Sequence, residues 1–272
     1  MKDIHTASQD VHVRTFVHGP RKVLALHCTI AHSGAWRAIA KVMDNDATFV
    51  CPDMLSHGRS PDWDRQGDFQ DRSVAAAEPL LTEPMDIVGH SFGATVALRL
   101  AVAHPEKVRS LTMIEPVYFA VALQDDPATV DDHDAAAVEF RAAMEAGDEA
   151  VGARLFNRMW TTEDSPRWPD LPDATRAAMV RGVHIVPASH DSLYLDRPGM
   201  LKPGILDRVT MPTLLLRGTD THAAIGVVND GLARRLPNAE NVVIDGAGHM
   251  LPISHPLEAA AELRRLFECA PG

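Results

Sequence analysis

Met85-Asp86-Ile87-Val88, Gly89-His90-Ser91-Phe92-Gly93 and Ala94-Thr95-Val96-Ala97-Leu98-Arg99-Leu100 follow one another without a gap. The first is a short apolar run of strand length, the second a turn with a serine between two glycines, and the third a small-residue helix. Gly-x-Ser-x-Gly in that order puts the serine on a strained strand-to-helix turn, where flanking side chains would clash with neighbouring backbone. The Ser91 hydroxyl is thereby held out from the sheet edge, and the following helix turns its amide end to the same spot. Charge developing on an oxyanion there would be favoured, so Ser91 is a candidate nucleophile. The pentapeptide alone is common; the strand before it and the helix after it carry the reading.

Upstream, residues 11–17 alternate apolar and polar as a half-exposed edge strand does, and Val23-Leu24-Ala25-Leu26 is a buried strand after the Gly19-Pro20 turn. A loop over 27–36 leads to a helix through about Met43. Phe49-Val50-Cys51-Pro52-Asp53 is the next strand and opens into a turn-rich loop over 54–61. A helix is expected over 72–81, and beyond the elbow residues 108–114 read as a strand ending at Glu115-Pro116. Such alternation implies right-handed crossovers and a mostly parallel sheet whose ligand-binding loops gather at the carboxyl ends of its strands.

Helical patterns then dominate, over 134–146, 149–160 and 173–183, and read as an inserted cap. The sheet resumes with strands over 212–218 and 241–244 and helices over 227–236 and 256–267. The expected organisation is an α/β core over 1–116 and 207–272, interrupted by a helical cap over 117–206.

A serine hydroxyl needs a base to take its proton and a carboxylate to orient that base. Gly246-Ala247-Gly248-His249 follows the last strand, which sets His249 on a loop at the same edge as Ser91 and makes it the candidate base. For the acid, Asp220 lies just past the strand that ends at Gly218. Glu115, at the end of an earlier strand on that edge, is the rival; Asp245 reads as a turn cap.

A formal net charge of -11, spread along the chain with no Lys/Arg-rich run, argues against a nucleic-acid partner. Cys28, Cys51 and Cys269 form neither a disulfide framework nor a zinc motif and suit a reducing cytoplasm. The first residues, Met1-Lys2-Asp3-Ile4-His5, lack a signal-peptide core, and no apolar run is long enough to span a bilayer, so no membrane association is expected. No phosphate loop or dinucleotide fingerprint is present, so no cofactor is expected. Asp131-Asp132-His133-Asp134 can be drawn as a metal cluster, but Asp gathers at helix starts for capping and dipole reasons, and no metal is expected. Candidate substrate contacts are His27, His90, Trp160 and His190; His184 is a weaker one, and Phe156, Met159, Trp168 and Met179 read chiefly as cap core.

The ordered set comprising the elbow 89–93, the loop 27–36, the loop from Asp53 to His57-Gly58-Arg59-Ser60 and the terminal Gly246-Ala247-Gly248-His249 resembles the α/β-hydrolase superfamily in its cap-bearing serine-hydrolase branch. The likeness covers essentially the whole length. It implies the α/β-hydrolase fold, an oxyanion hole made by the backbone N–H groups of Phe92 and Thr29, and hydrolysis of a small-molecule ester or related acyl compound. Cys28 stands where the family usually has glycine, Leu55-Ser56 replaces a commoner Pro-Gly, and Asp220 lies two residues after Gly218 where many relatives have three. Carbon–carbon bond hydrolases, lactonases and cofactor-free haloperoxidases share this pattern, and a non-catalytic small-molecule-binding protein on the same fold is the alternative from another class.

Overall fold

The structure, a computed structural model, describes residues 11–17, 19–163 and 165–270. The expectation for Met1-Lys2-Asp3-Ile4-His5 therefore lies outside the described residues. Among the described residues seven strands, β1 (Val13–Phe16), β2 (Arg21–Leu26), β3 (Ala47–Pro52), β4 (Met85–His90), β5 (Val108–Ile114), β6 (Thr213–Gly218) and β7 (Ala239–Ile244), form one sheet in the order β1-β3-β2-β4-β5-β6-β7. β1 runs antiparallel to β3, and every other pairing is parallel.

Alternation along the strands sorts the core onto two faces. Val23 and Ala25 of β2 belong to the core on the face that α1 (Arg37–Val42) and α13 (Pro256–Cys269) cover, whereas Leu24 and Leu26 belong to the core on the face of α3 (Phe92–Ala103) and α11 (Ala223–Arg235). From β2 the chain moves outward to β3 and then returns to β4 on the other side of β2. Such a reversal opens a crevice at the carboxyl ends of the two strands, the usual ligand position in parallel sheets. Residues 27–30 and Ser91 both lie there.

Between β5 and β6 the chain is helical: α4 (Phe119–Asp125), α5 (Pro127–Ala136), α6 (Val138–Glu145), α7 (Glu149–Met159), α8 (Asp173–Gly182), α9 (Ile185–Ala188) and α10 (His190–Tyr194). α4 packs on α11, and its Phe119, Val121 and Ala122 belong to the main core. A separate apolar cluster of Phe140, Ala153, Leu155 and Val183 ties α6, α7 and the end of α8 to one another. These helices are latched to the loop after β3, since Arg181 donates to Asp62 Oδ1 (2.7 Å) and to the carbonyls of Gly58 and Ser60.

Two helix expectations need correction. Asp131 to Asp134 do not start a helix: they lie inside α5, whose first turn begins at Pro127, a residue suited to that position because no intrahelical N–H is needed there. The capping account of those aspartates therefore fails, and among the described residues no three His, Cys, Asp or Glu side chains gather as a metal-holding group. The helix expected over 72–81 is α2 (Phe69–Ala77), capped by Asp68, whose carboxylate accepts from the Asp71 amide. It passes into a 3₁₀ turn, Glu78–Leu80, because Pro79 has no N–H to extend the α pattern. Among the described residues no helix is long and apolar enough to cross a membrane.

Candidate active site

β4 is buried throughout and delivers Ser91 at φ 56°, ψ −118°, outside the regions that L-residues ordinarily occupy. The Ser91 amide donates to Ile114 O (2.8 Å) across the sheet, which holds the strained residue in place. The glycines are needed because backbones approach closely. A Cβ on Gly89 would lie 2.4 Å from Gly93 O, and one on Gly93 would lie 2.3 Å from Leu26 O. Gly93→Ala must push β2 away from α3, and overpacking of that kind costs about 1–3 kcal/mol, which we expect as a lowered urea midpoint at unchanged slope.

His249 is 6% exposed and bridges two groups: Nε2 lies 3.0 Å from Ser91 Oγ and Nδ1 lies 3.1 Å from Glu115 Oε2. A carboxylate only accepts, so Nδ1 carries the proton and the bare Nε2 faces the serine hydroxyl. The loop bearing His249 is anchored by His90, whose Nε2–H donates to His249 O (2.8 Å), and by the Gly246 amide, which donates to Thr219 Oγ1 (2.8 Å). The Trp160 ring lies 4.1 Å from the imidazole, centroid to centroid.

The carboxylate beside the imidazole is Glu115, not Asp220. Glu115 is fully buried at φ 52°; its Oε1 accepts from the Gly218 amide (2.7 Å), and Oε2 accepts from Thr221 Oγ1 as well as His249. Asp220 is exposed: its amide is tied to Ala247 O (2.9 Å), and its Oδ1 accepts from the neighbouring Thr219 hydroxyl. With the backbone turned this way two residues after Gly218, the short Asp side chain is spent on its own loop. The longer glutamate reaches the site from the next strand.

Phe92 is the first residue of α3, so its N–H has no acceptor within the helix, and it borders the same cavity as Ser91 and Thr29. The Thr29 loop is pinned on both sides by histidines. His27 Nδ1–H donates to Cys28 O (2.7 Å) while its Nε2 accepts from the Met54 amide; His57 Nε2 accepts from the Ile30 amide (3.0 Å) while its Nδ1–H donates to Leu55 O. Each ring needs one bare nitrogen, and burial pushes His27 down to about 4 and His57 to about 3, which keeps both neutral. Cys28 needs no left-handed backbone, since in this loop that conformation falls on Ile30 (φ 55°). Its thiol is pushed up to about 12 by burial and stays protonated.

Two cavities meet at Ser91. One, of ≈600 Å³, is bordered by Thr29, Phe92, Phe119, His133, Trp160 and His190 among others. The other, of ≈370 Å³, is bordered by Thr29, Cys28, His249, Met250, Met179 and Trp160 among others. Of the candidate contacts read from the sequence, Trp160 and His190 thus border a cavity. His27 and His90, each 1% exposed, hold backbone instead, and His184 stacks on Trp63 at 6.2 Å. Phe119, His133 and Tyr194 border the larger cavity and Thr221 holds Glu115, roles with no signal in the sequence because only the packed fold brings these side chains together; His57 lies in a motif loop, but its bond to the Ile30 amide is likewise seen only in the fold.

The family described as alpha/beta hydrolase fold matches residues 22–256 of the chain. Lipase LipV of Mycobacterium tuberculosis is 30% identical over 266 residues, covering 94% of this chain and 97% of the relative. The pimeloyl-[acyl-carrier protein] methyl ester esterase of Nitrosomonas europaea is 25% identical over 250 residues, 90% of this chain and 95% of that protein. Among solved structures, an esterase from Thermogutta terrifontis superposes with a TM-score of 0.70 at 18% identity, covering 95% of this chain and 93% of that one, and shares the fold. With the match running from β2 through the elbow to the loop beyond His249, the chain belongs to the α/β-hydrolase family of enzymes.

Proposed function

We propose that the protein is a serine hydrolase that cleaves a carboxylic ester without a cofactor, through Ser91, His249 and Glu115. One observation carries the reading: a single imidazole stands within hydrogen-bond reach of the Ser91 hydroxyl on one nitrogen and of the Glu115 carboxylate on the other. The ester chemistry named for the lipase and methyl ester esterase relatives supports the substrate class.

Ser91 Oγ attacks the carbonyl carbon as His249 Nε2 takes its proton, and the anionic Glu115 stabilises the imidazolium. The Phe92 and Thr29 amides receive the oxyanion, each such donor being worth about 3 kcal/mol at the transition state. His249 then passes the proton to the departing oxygen. Water, deprotonated by the same imidazole, releases the acid and restores Ser91. Helices from 117–206 form the lid over this cleft. The buried, free Cys28 and Cys51 and the exposed, free Cys269 suit a reducing compartment, and we place the enzyme in the cytoplasm.

Fluorophosphonate labelling tests the reading. The native protein should take label at Ser91 and hydrolyse short p-nitrophenyl esters, and Ser91→Ala should lose both. A folded protein that does neither is a binding protein on this fold instead.

A further inference from the structure

The cleft around Ser91 is divided into two parts that suit different groups. Thr29, Ser91, Phe156 and Trp160 border both the ≈600 Å³ and the ≈370 Å³ cavity, so the two parts meet at the nucleophile, with Phe156 and Trp160 at their seam. His249 borders the smaller one. In the reaction proposed above, on which this inference rests, the imidazole returns the serine proton to the departing oxygen. The leaving alcohol therefore lies on the His249 side, and the larger cavity receives the acyl group.

That larger cavity has an aromatic wall. His133 stacks on Phe119 (centroids 4.7 Å, planes 23° apart), Phe119 on Tyr194 (4.7 Å, 30°) and Tyr194 on His190 (4.8 Å, 8°), and all four rings border the cavity. Rings stacked on one another cover each other's faces and turn their edges to the neighbouring space. An aromatic edge is the positive rim of the ring quadrupole and attracts the negative face of another ring; an alkyl chain has no such face and gains only buried area.

We propose that the substrates are esters of aryl or arylalkyl carboxylic acids, with the acyl ring set against the His133-Phe119-Tyr194-His190 row and a small alcohol departing on the His249 side. In acylation the bond from Ser91 Oγ to the carbonyl carbon forms and the bond from that carbon to the alcohol oxygen breaks. The serine proton leaves with the alcohol, and water then supplies hydroxyl to the acyl group and a proton to Ser91.

The test compares methyl 3-phenylpropanoate with methyl nonanoate, which share the leaving group and the acyl carbon count. The aryl ester should have a kcat/KM about tenfold higher or more, the scale expected of one or two edge-to-face contacts. Tyr194→Leu and His190→Leu should each reduce that ratio by about threefold or more, as loss of one such contact does. The side chain of His190 is 55% exposed, so its replacement does not threaten folding. A wild-type ratio of one or below, or a ratio unmoved in both variants, overturns the proposal. Labelling of Ser91 and p-nitrophenyl acetate hydrolysis are measured on the same protein: where both are present the ratio judges the aryl assignment alone, and where both are absent the serine-hydrolase reading itself fails.

Discussion

Glu115→Gln is expected to lower kcat by about four orders of magnitude, the loss typical when a triad acid becomes its amide, whereas Asp220→Asn should stay within about twofold of the parent. The isosteric amide keeps the packing, and its oxygen can still accept from the Gly218 amide. That leaves the NH₂ group facing His249 Nδ1 and Thr221. An NH₂ group donates, so Nδ1 must become the acceptor and Nε2 must carry the ring proton. A protonated Nε2 cannot take the proton of Ser91, and the imidazolium also loses its counter-charge. Asp220 lies exposed and bonded within its own loop, so neutralising it changes neither tautomer nor charge at the site. Single-turnover kinetics on both variants, with thermal unfolding to show that each is folded, decide the matter. Should Asp220→Asn carry the large loss, the assignment of the acid is wrong.

The choice between these two acids also marks where sequence reading stops. That Ser91 and His249 lie on one edge of the sheet is legible, because Ser91 follows directly on a strand and His249 lies on the short loop after another, and the direction of a parallel strand fixes which edge its last residue reaches. Which carboxylate meets the imidazole is not. It depends on the reach of a side chain from β5, on the left-handed backbone of Glu115 and on the Asp220 amide being tied to Ala247 O. These relations join residues more than a hundred positions apart or lie in a turn that no periodicity reports.

The same holds for the histidines. His27 and His90 stand beside the oxyanion loop and the nucleophile in sequence, which suggests contact with substrate; their ring nitrogens are instead committed to backbone of other segments. His133 lies in an acidic stretch that reads as a solvated helix start, yet it is 6% exposed and stacked on Phe119. The apolar periodicity of the helices after β5 reports their existence and not which face meets the cleft, so the aromatic wall was visible only after packing.

Those buried histidines make the fold sensitive to acid well above the range in which carboxylates titrate. Burial is the leading cause in all four cases and pushes His27 down to about 4 and His57, His90 and His133 to about 3. In the unfolded chain each returns to about 6.5. Below that value the unfolded state binds protons that the folded state refuses, so stability falls as pH drops from about 6.5 towards 4, where His27 begins to be protonated in the folded state as well. Four such groups give a limiting slope of about four protons, or about 5 kcal/mol per pH unit, against a typical total of about 5–15 kcal/mol. The urea midpoint should therefore be nearly flat from pH 8 to 7 and collapse between pH 6 and 5, before Asp and Glu protonate appreciably. His133→Phe, which keeps a ring in the stack with Phe119 but cannot be protonated, should shallow the slope by about one proton. A midpoint unchanged between pH 7 and 5, or an equally steep fall in His133→Phe, would show that these rings do not stay neutral in the folded protein.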